Sequence, residues 1–327
     1  MGLLSVIKKK CSVMQWGIGF CKVSIADVIR NKRLEGNFTW LNHSEKLQFI
    51  ADPFIFRSQH NNINLLFEDF SVERDGFIGL KVLDDQFNLV SEKRILASDS
   101  HLSYPFIFKE NGITYIIPES HQQGKVFIYE YDFVKDELVN GKVLVELPLL
   151  DTTIVKVSDT YWLFANYADG IDDNNKLYIY YSNSLCGQYQ PHALNPVRND
   201  LDGTRPAGNF ITVDGNLYRP SQNCGKYYGK SLSISQIVEL TQDEFEEKHY
   251  CEILADPKSP YSDGLHTINV LDDIIVIDGV KLLFMPWTKT RLFFKKWVKK
   301  ISGEQSMNRV TKSDNKKQSP SYFNATK

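Results

Sequence analysis

Short apolar segments rich in β-branched and aromatic residues alternate with turn residues along most of the chain. They are typical of strands, because branched and aromatic side chains fit a pleated sheet. Clear examples are FIADPFIF (49–56), NINLLFEDF (62–70), TYIIPES (114–120), KVFIYEYD (125–132), YWLFANYA (161–168), KLYIYYS (176–182) and DIIVIDG (273–279). Helical spacing is scarce and predicts one short helix over 240–250, with Thr241 and Glu244 as a capping box. The pattern predicts an all-β fold.

A longer repeat is superimposed on these strands. Five times, a polar or turn residue opens a strand that a second strand follows, and the first two openings, DPFIF and YPFIF, are nearly identical. The openings lie 47 to 61 residues apart, at Asp52, Tyr104, Asp151, Arg205 and His266. That interval is typical of propeller blades, which bury their faces only by stacking on one another. The repeat predicts a five-bladed β-propeller over 13–285, with an ordinary β-sandwich as the alternative.

The opening strand of each propeller blade starts beside the central axis. Its first residues converge from all blades, so a polar residue repeated there builds one polar pocket at one end of the axis. The carboxylates expected to face this pocket are Asp52, Glu68, Asp69, Glu119 and Asp151. The other candidates for contacts with a substrate are Tyr104, Arg205, Arg219, Gln222, Asn223, Tyr228 and His266.

Charge and cysteine content narrow the class of protein. The formal net charge of -2 gives no global attraction to nucleic acid. The five cysteines form no CxxC pair, so neither a disulfide framework nor a zinc site is expected, and a reducing compartment fits best. Glycine-rich phosphate loops are missing, and no metal or cofactor is predicted. The apolar run at 3–7 is too short for a secretory signal, so a cytoplasmic protein is predicted.

The last part of the chain has a different pattern. The segment KTRLFFKKWVKKI (289–301) places apolar residues at helical spacing, and basic residues cover the rest of the helix. Such a basic amphipathic helix is typical of a peripheral contact with an anionic membrane, here through 291–301. Packing on the propeller with a solvated basic face is the alternative. The polar segment 303–327 is predicted to be disordered.

Ten motifs together resemble one known family, the N-terminal propeller-like domain of plant glucosamine inositolphosphorylceramide transferase and its bacterial relatives. The resemblance covers roughly residues 13–285, and the motifs occur in the complete order. They are ADPF (51–54), FEDFS (67–71), LSYPFIF (102–108), IPES (117–120), LLDTT (149–153), NPV (195–197), RPAGNF (205–210), LYRPSQN (217–223), YYG (227–229) and GLHTIN (264–269).

This resemblance carries expectations about function. The plant proteins have a separate glycosyltransferase domain after this region, to which nothing in the present sequence corresponds. The bacterial relatives resemble members of surface-polysaccharide or O-antigen assembly systems, which implies a glycan, or an activated sugar donor and a lipid-linked acceptor, as partners.

A more distant similarity is to five-bladed furanosidase and xylosidase hydrolases. In those enzymes a first-blade aspartate is the general base, and a third-blade aspartate tunes and orients the acid; Asp52 and Asp151 match these positions. The fourth-blade general acid is a glutamate before a Gly-Pro pair. The present chain has Arg205 at that position, followed by Pro206, so hydrolysis by the standard two-carboxylate route is not expected.

Glycosyl transfer needs a carboxylate that accepts a proton or forms a covalent bond, and a group that assists the leaving group. Asp52 is interpreted as the base or nucleophile, with Glu119 and Asp151 as orienting residues. Arg205 and Arg219 suit a phosphate leaving group or an acidic sugar, because arginine binds phosphate through its planar fork. A glycosyltransferase of bacterial surface-polysaccharide assembly is therefore the first hypothesis.

Two alternatives remain open. One is a glycoside hydrolase on the same scaffold, in which Glu119 or Glu68 replaces the missing acid. The other is a non-catalytic glycan-binding module that serves a partner transferase.

Overall fold

The computed structural model describes residues 11–43, 48–71, 74–168, 170, 175–288 and 290. The residues from Met14 to Lys281 form one compact unit. A second unit contains the described residues nearest the two ends of the chain, where the backbone N–H of Met285 donates to the carbonyl of Cys11 (3.0 Å). The predicted helix over 289–301 and the predicted tail over 303–327 lie outside the described residues, apart from Thr290.

Five antiparallel sheets make up the fold and confirm the five-bladed propeller. Four of them follow one another along the chain. Blade one contains β3 (Gln48–Arg57), β4 (Ile63–Ser71), β5 (Arg74–Leu83) and β6 (Leu89–Leu96). Blade two contains β7 (Ser103–Glu110), β8 (Ile113–Glu119), β9 (Val126–Asp132) and β10 (Glu137–Val145). Blade three contains β11 (Leu149–Val157), β12 (Thr160–Tyr167), β13 (Lys176–Ser182), β14 (Gln190–Pro191) and β15 (Arg198–Asn199). Blade four contains β16 (Ile211–Val213), β17 (Asn216–Asn223), β18 (Ser231–Leu240) and β19 (Phe245–Ile253).

Blade five is assembled from two distant parts of the sequence. It contains β20 (Gly264–Leu271), β21 (Ile274–Phe284), β1 (Ser12–Lys22) and β2 (Thr39–Trp40), paired in that order. The N-terminal strands therefore complete a blade whose inner strands come from the other end of the domain. This pairing closes the ring and leaves fewer strand edges exposed.

The structure corrects the helix predicted over 240–250. The side chain of Thr241 does accept a hydrogen bond from the N–H of Glu244 (2.9 Å), but the bond closes a turn that leads into β19. Glu247 on this strand is buried against Arg219, so the strand lacks a clear apolar alternation. A helix that the sequence did not predict, α1 (Ile25–Asn31), packs Val28 and Ile29 into the core of blades four and five.

A β-bulge lies near the start of the inner strand in four blades. The register shifts between Ala51 and Phe54, Ser103 and Phe106, Leu150 and Thr153, and Leu265 and Ile268. In the first three blades the bulge residue has a positive φ, at Asp52 (51°), Tyr104 (39°) and Asp151 (51°). Such non-glycine conformations cost on the order of 1 kcal/mol each and persist only where the surroundings hold them. At these bulges the side chain of the opening residue is turned toward the neighbouring blades.

The two ends of the inner strands differ in chemistry. Three to six residues beyond each opening, the inner strands carry branched apolar residues, namely Ile55, Ile107, Ile154, Ile211 and Val270. These residues line a cavity of about 580 Å³. The polar opening residues lie at the other end of the same strands, except Arg205, which lies in the segment before β16.

Candidate active site at the start of the inner strands

Asp52, His266 and Asp278 form a buried hydrogen-bonded cluster between blades five and one. The Nδ1 atom of His266 lies 2.5 Å from Oδ2 of Asp278, and its Nε2 atom lies 3.6 Å from Oδ1 of Asp52. Asp278 also accepts backbone N–H groups from Asp52 (2.9 Å), His266 (3.1 Å) and Thr267 (2.8 Å). The hydroxyl of Thr267 donates to Asp52 (3.0 Å). These hydrogen bonds restrain the orientation of the Asp52 side chain.

Arg205 joins the carboxylates of blades two and three. Its Nε and Nη2 atoms donate to the two oxygens of Asp151 (2.5 and 3.3 Å), and Nη2 also lies 3.5 Å from Glu119. Gln222 donates to Oδ2 of Asp151 (3.1 Å), the oxygen that Arg205 Nε also binds. Glu119 accepts the backbone N–H of Asp151 (3.3 Å). One guanidinium thus serves two buried carboxylates, which makes Arg205 the central cation of this group.

Aromatic rings connect the two clusters into one site. The guanidinium of Arg205 lies over the ring of Tyr228 (5.4 Å), and that ring meets His266 edge-on (5.4 Å). On its other side His266 stacks on Trp16, with ring centroids 3.9 Å apart. The prediction that the strand openings gather Asp52, Asp151, Arg205 and His266 in one place is therefore confirmed.

Two histidine–glutamate pairs lie at the more exposed margin of this site. His101 contacts Glu68 (3.1 Å), and His121 contacts Glu119 (2.8 Å). The two histidine side chains are 22% and 27% exposed, whereas the Asp151 and Glu119 side chains are only 3% exposed. Solvent and small ligands consequently reach the histidines and Glu68 more readily than the carboxylates on Arg205.

Tyr104 performs a structural task at the bottom of the site. Its hydroxyl contacts Thr153 (2.8 Å) and accepts the backbone N–H of Gly208 (2.7 Å), and the residue is completely buried. Gly208 has a φ of 124°, and a Cβ there would stand 1.9 Å from the carbonyl oxygen of Ile268. Tyr104 was predicted to contact a substrate. Instead, its hydroxyl makes two hydrogen bonds that link blades two, three and four.

Two predicted contact residues are held inside their own blades. Asp69 accepts hydrogen bonds from Gln48 (2.8 Å) and Arg74 (2.5 Å). Asn223 donates to Glu252 (3.1 Å). The structure thus places both residues in local contacts, away from the Arg205 carboxylates.

Arg219 departs furthest from its predicted place in the site, where it was expected to contact a substrate. It is almost completely buried and donates to Glu247 (2.5 and 2.7 Å) and to the carbonyl of Gly203 (2.6 Å). Arg198 binds the same glutamate (2.5 Å). Arg219 points to the face of β17 opposite Gln222, because side chains three positions apart on a strand lie on opposite faces. It therefore balances Glu247 and not the carboxylates of the candidate site.

Several members of the cluster were not predicted from the sequence. Asp278 lies in the apolar strand IIVIDGV and is completely buried. The available signal in the sequence was a single carboxylate inside an apolar run. Trp16 comes from β1, which reaches blade five only through ring closure. Asn166 occupies the register position of Glu68 and Glu119 in blade three and is completely buried. His101 and His121 gave no signal in the sequence, because they lie outside the strand openings.

The environment spreads the pKa values of these groups apart. Burial raises the pKa of Asp52 to about 7, although the nearby His266 opposes the shift. Burial alone would also raise the pKa of Glu119, but the hydrogen bond from His121 and the charge of Arg205 lower it to about 2. Burial favours neutral His266, yet Asp278 and Asp52 raise its pKa to about 9. Burial raises the pKa of Asp151 against the opposing charge of Arg205. Acids of separated pKa in one site suit proton transfer near neutral pH.

The cluster of Asp52, His266 and Asp278 also has the spacing of a cation site, since their ligand atoms lie within 4.8 Å of one another. In the structure the His266 ring donates to Asp278, which accepts three backbone N–H groups as well. These bonds define a hydrogen-bonded ion network.

Comparison with known proteins decides the family. The family described as glucosamine inositolphosphorylceramide transferase 1, N-terminal, matches residues 39–261, which include four of the five strand openings. The chain belongs to this family. The resemblance drawn from the ten motifs is thereby confirmed.

The similar curated proteins come from plants. Glucosamine inositolphosphorylceramide transferase 1 of Oryza sativa subsp. japonica is 35% identical over 205 residues, which cover 61% of this chain and 27% of the rice protein. The protein of the same name from Arabidopsis thaliana matches with the same identity and coverage. The matched region thus spans about a quarter of these transferases.

Solved structures extend the likeness in fold to hydrolases. The catalytic domain of the Coprinopsis cinerea GH62 α-L-arabinofuranosidase superimposes with a TM-score of 0.55, covering 71% of this chain and 80% of that domain. The sequences are 13% identical, so this comparison concerns the fold alone. Within the described part of this chain, no helix combines the length and apolar character required to span a bilayer.

Proposed function

We propose that this member of the glucosamine inositolphosphorylceramide transferase N-terminal family is a glycosyltransferase that uses the site around Asp52 and Arg205. The observation that carries the proposal is the convergence of buried carboxylates from blades two and three on the Arg205 guanidinium, which Tyr228 and His266 connect to Asp52 of blade one. An isolated buried charge is unfavourable, and a structural core would more easily be built from apolar side chains. A concentration of such groups at the axial end is better explained by chemistry than by stability.

Each charged residue has a distinct part in the proposed reaction. Asp52 is the base that accepts a proton from the acceptor hydroxyl, or the nucleophile that attacks the anomeric carbon. Its pKa of about 7 keeps it partly ionised near neutral pH. Glu119, with its pKa of about 2, stays ionised and holds Arg205 in place. Arg205 neutralises charge that develops on a phosphate leaving group, while Asp151, itself held by Gln222, orients the guanidinium.

The position of Arg205 favours transfer over hydrolysis. The hydrolases that the chain resembles distantly need a carboxylic acid there to protonate the leaving oxygen. A guanidinium donates no proton at neutral pH, because its pKa exceeds about 12. A phosphate leaving group needs no such proton, since it departs as a stable anion.

The experiment that tests this proposal compares transfer with release. The purified full chain is incubated with a panel of nucleoside diphosphate sugars, with and without an extract of lipid-linked acceptors, and the products are resolved by mass spectrometry. We expect a glycosylated lipid that forms only when donor and acceptor are both present. Free sugar released from oligosaccharides without any donor would establish the hydrolase alternative, and binding without turnover would establish the glycan-binding module.

We further propose that the protein acts in the assembly of a bacterial surface polysaccharide, in the cytoplasm and at the inner face of the membrane. The sequence pattern over 291–301 supports a peripheral contact with anionic lipid. A lipid-linked acceptor would be presented at that same surface.

Membrane association gives a separate prediction. Deleting residues 291–301 is expected to release the protein from vesicles that contain 30% phosphatidylglycerol, because each basic residue near such a surface contributes about 1 kcal/mol of binding. Co-sedimentation measures the bound fraction, with neutral phosphatidylcholine vesicles as the control. An unchanged bound fraction after the deletion would assign the segment to packing.

A further inference from the structure

Asp278 has an unusual set of partners for a residue in an apolar strand. Its side chain is completely buried, yet it accepts four hydrogen bonds, three from backbone N–H groups and one from the His266 ring. Two of the backbone groups belong to His266 and Thr267 on β20, and the third belongs to Asp52 on β3. A single carboxylate thus joins the bulges of blades five and one.

These bonds determine where the His266 ring points. Because Nδ1 donates to Asp278, the opposite nitrogen, Nε2, faces Oδ1 of Asp52 at 3.6 Å. Trp16 stacks on one face of the imidazole and Tyr228 meets it edge-on, so rotation of the ring is blocked. The arrangement carboxylate–imidazole–carboxylate resembles the way enzymes fix the tautomer and direction of a working histidine.

We infer that Asp278 is a positioning residue for Asp52, which directs the imidazole of His266 at the Asp52 carboxylate and fixes the backbone bulge that carries Asp52. The inference rests on the proposed function in so far as Asp52 is the reacting group. Four charged or titratable groups face the pair formed by Asp278 and His266. They are Asp52 and Glu68 from blade one, Asp151 from blade three and Tyr228 from the loop before β18.

The expected consequence concerns the charge of His266. With Asp278 present, His266 carries a proton to about pH 9 and its charge favours ionised Asp52. An amide at 278 still accepts the backbone N–H groups of His266 and Thr267 through its oxygen, but it offers no charge to the imidazolium. His266 should then titrate at lower pH. The pKa of Asp52 should rise, because His266 affects it more strongly than Asp278 does.

The test is a titration of His266 by nuclear magnetic resonance in the full chain. Its signal is identified by its loss in H266Q, and D278N is compared with the wild type and with the control D69N. Asp69 is a buried aspartate that bonds Gln48 and Arg74. In D278N we expect the pKa of His266 to fall by two units or more, roughly the size of the perturbation that a buried charge partner causes. D69N should leave it unchanged.

Two results would overturn the inference. One is a wild-type His266 that is already neutral at pH 7.5, a measurement that requires no variant to fold. The other is a folded D278N in which His266 titrates as in the wild type. Since the titration needs no substrate, it can succeed even if no glycosyl transfer is found, and failure of the proposed function is thereby distinguished from failure of this inference. Where turnover is measurable, D278N should also move the acid limb of the pH–rate profile to higher pH.

Discussion

Replacing Asp52 with Asn is expected to lower the rate of glycosyl transfer by about three orders of magnitude or more, because an amide neither accepts the proton nor attacks the anomeric carbon. The fold should survive, since the amide oxygen can still accept the backbone N–H of Tyr104, while the amide N–H can donate to the Thr267 hydroxyl that faces the other position. Asparagine also tolerates the positive φ at this position. Initial rates at saturating donor measure the effect.

A matched control exists in blade two. Asp136 has nearly the same φ, 53° against 51°, and its carboxylate accepts a bond from the hydroxyl of Tyr131. The change D136N therefore repeats the chemistry of D52N far from the candidate site and should leave the rate within about twofold of the wild type. If D52N retained a wild-type rate while folded, Asp52 would have no catalytic part.

The wild-type rate should also depend on pH in a defined direction. Asp52 works in its ionised form, and burial raises its pKa to about 7. Activity should therefore fall as the pH drops below about 7, well above the pH at which an ordinary aspartate is protonated. This acid limb should be absent from the residual activity of D52N.

Replacing Arg205 with Ala is expected to lower the free energy of unfolding by about 3–5 kcal/mol, because it leaves Asp151 and Glu119 buried without their shared cation. Urea denaturation followed by circular dichroism measures the change. The control R30A removes an exposed pair with Asp214 and should leave the free energy of unfolding nearly unchanged.

The pH dependence of this deficit provides a check on its cause. Without Arg205, the pKa values of both carboxyl groups rise in the folded state, so that state binds protons more tightly than the unfolded one. Stability of R205A relative to the wild type should then recover as the pH falls from about 8 to about 5. A deficit that is independent of pH would indicate lost packing, and a variant as stable as the wild type would contradict the role of Arg205 as the central cation.

Much of this site was predictable because a propeller converts sequence repeats into spatial convergence. Asp52, Asp151, Arg205 and His266 are far apart in the chain, yet each opens a blade, and the topology alone brings them together. The bulges were not visible in the sequence, although they determine which way the opening residues face.

The remaining differences have identifiable physical causes. Arg219 and Gln222 belong to one motif, but their strand turns them to opposite faces, so only Gln222 reaches Asp151. Glu247 is buried by its pairing with Arg219, which hid the strand character of 245–253. Asp278 was missed because its partners come from two blades that become neighbours only when the ring closes.

Asp52 and the carboxylates on Arg205 are proposed to bind and process an activated sugar. A crystal structure of D52N soaked with the nucleoside diphosphate sugar that the transfer assay identifies tests this directly. We expect the anomeric carbon within about 3.5 Å of residue 52, a near-attack distance, with the phosphates toward Arg205. A sugar bound at another surface, with the Asp52 and Arg205 cluster unchanged and empty of density, would contradict it.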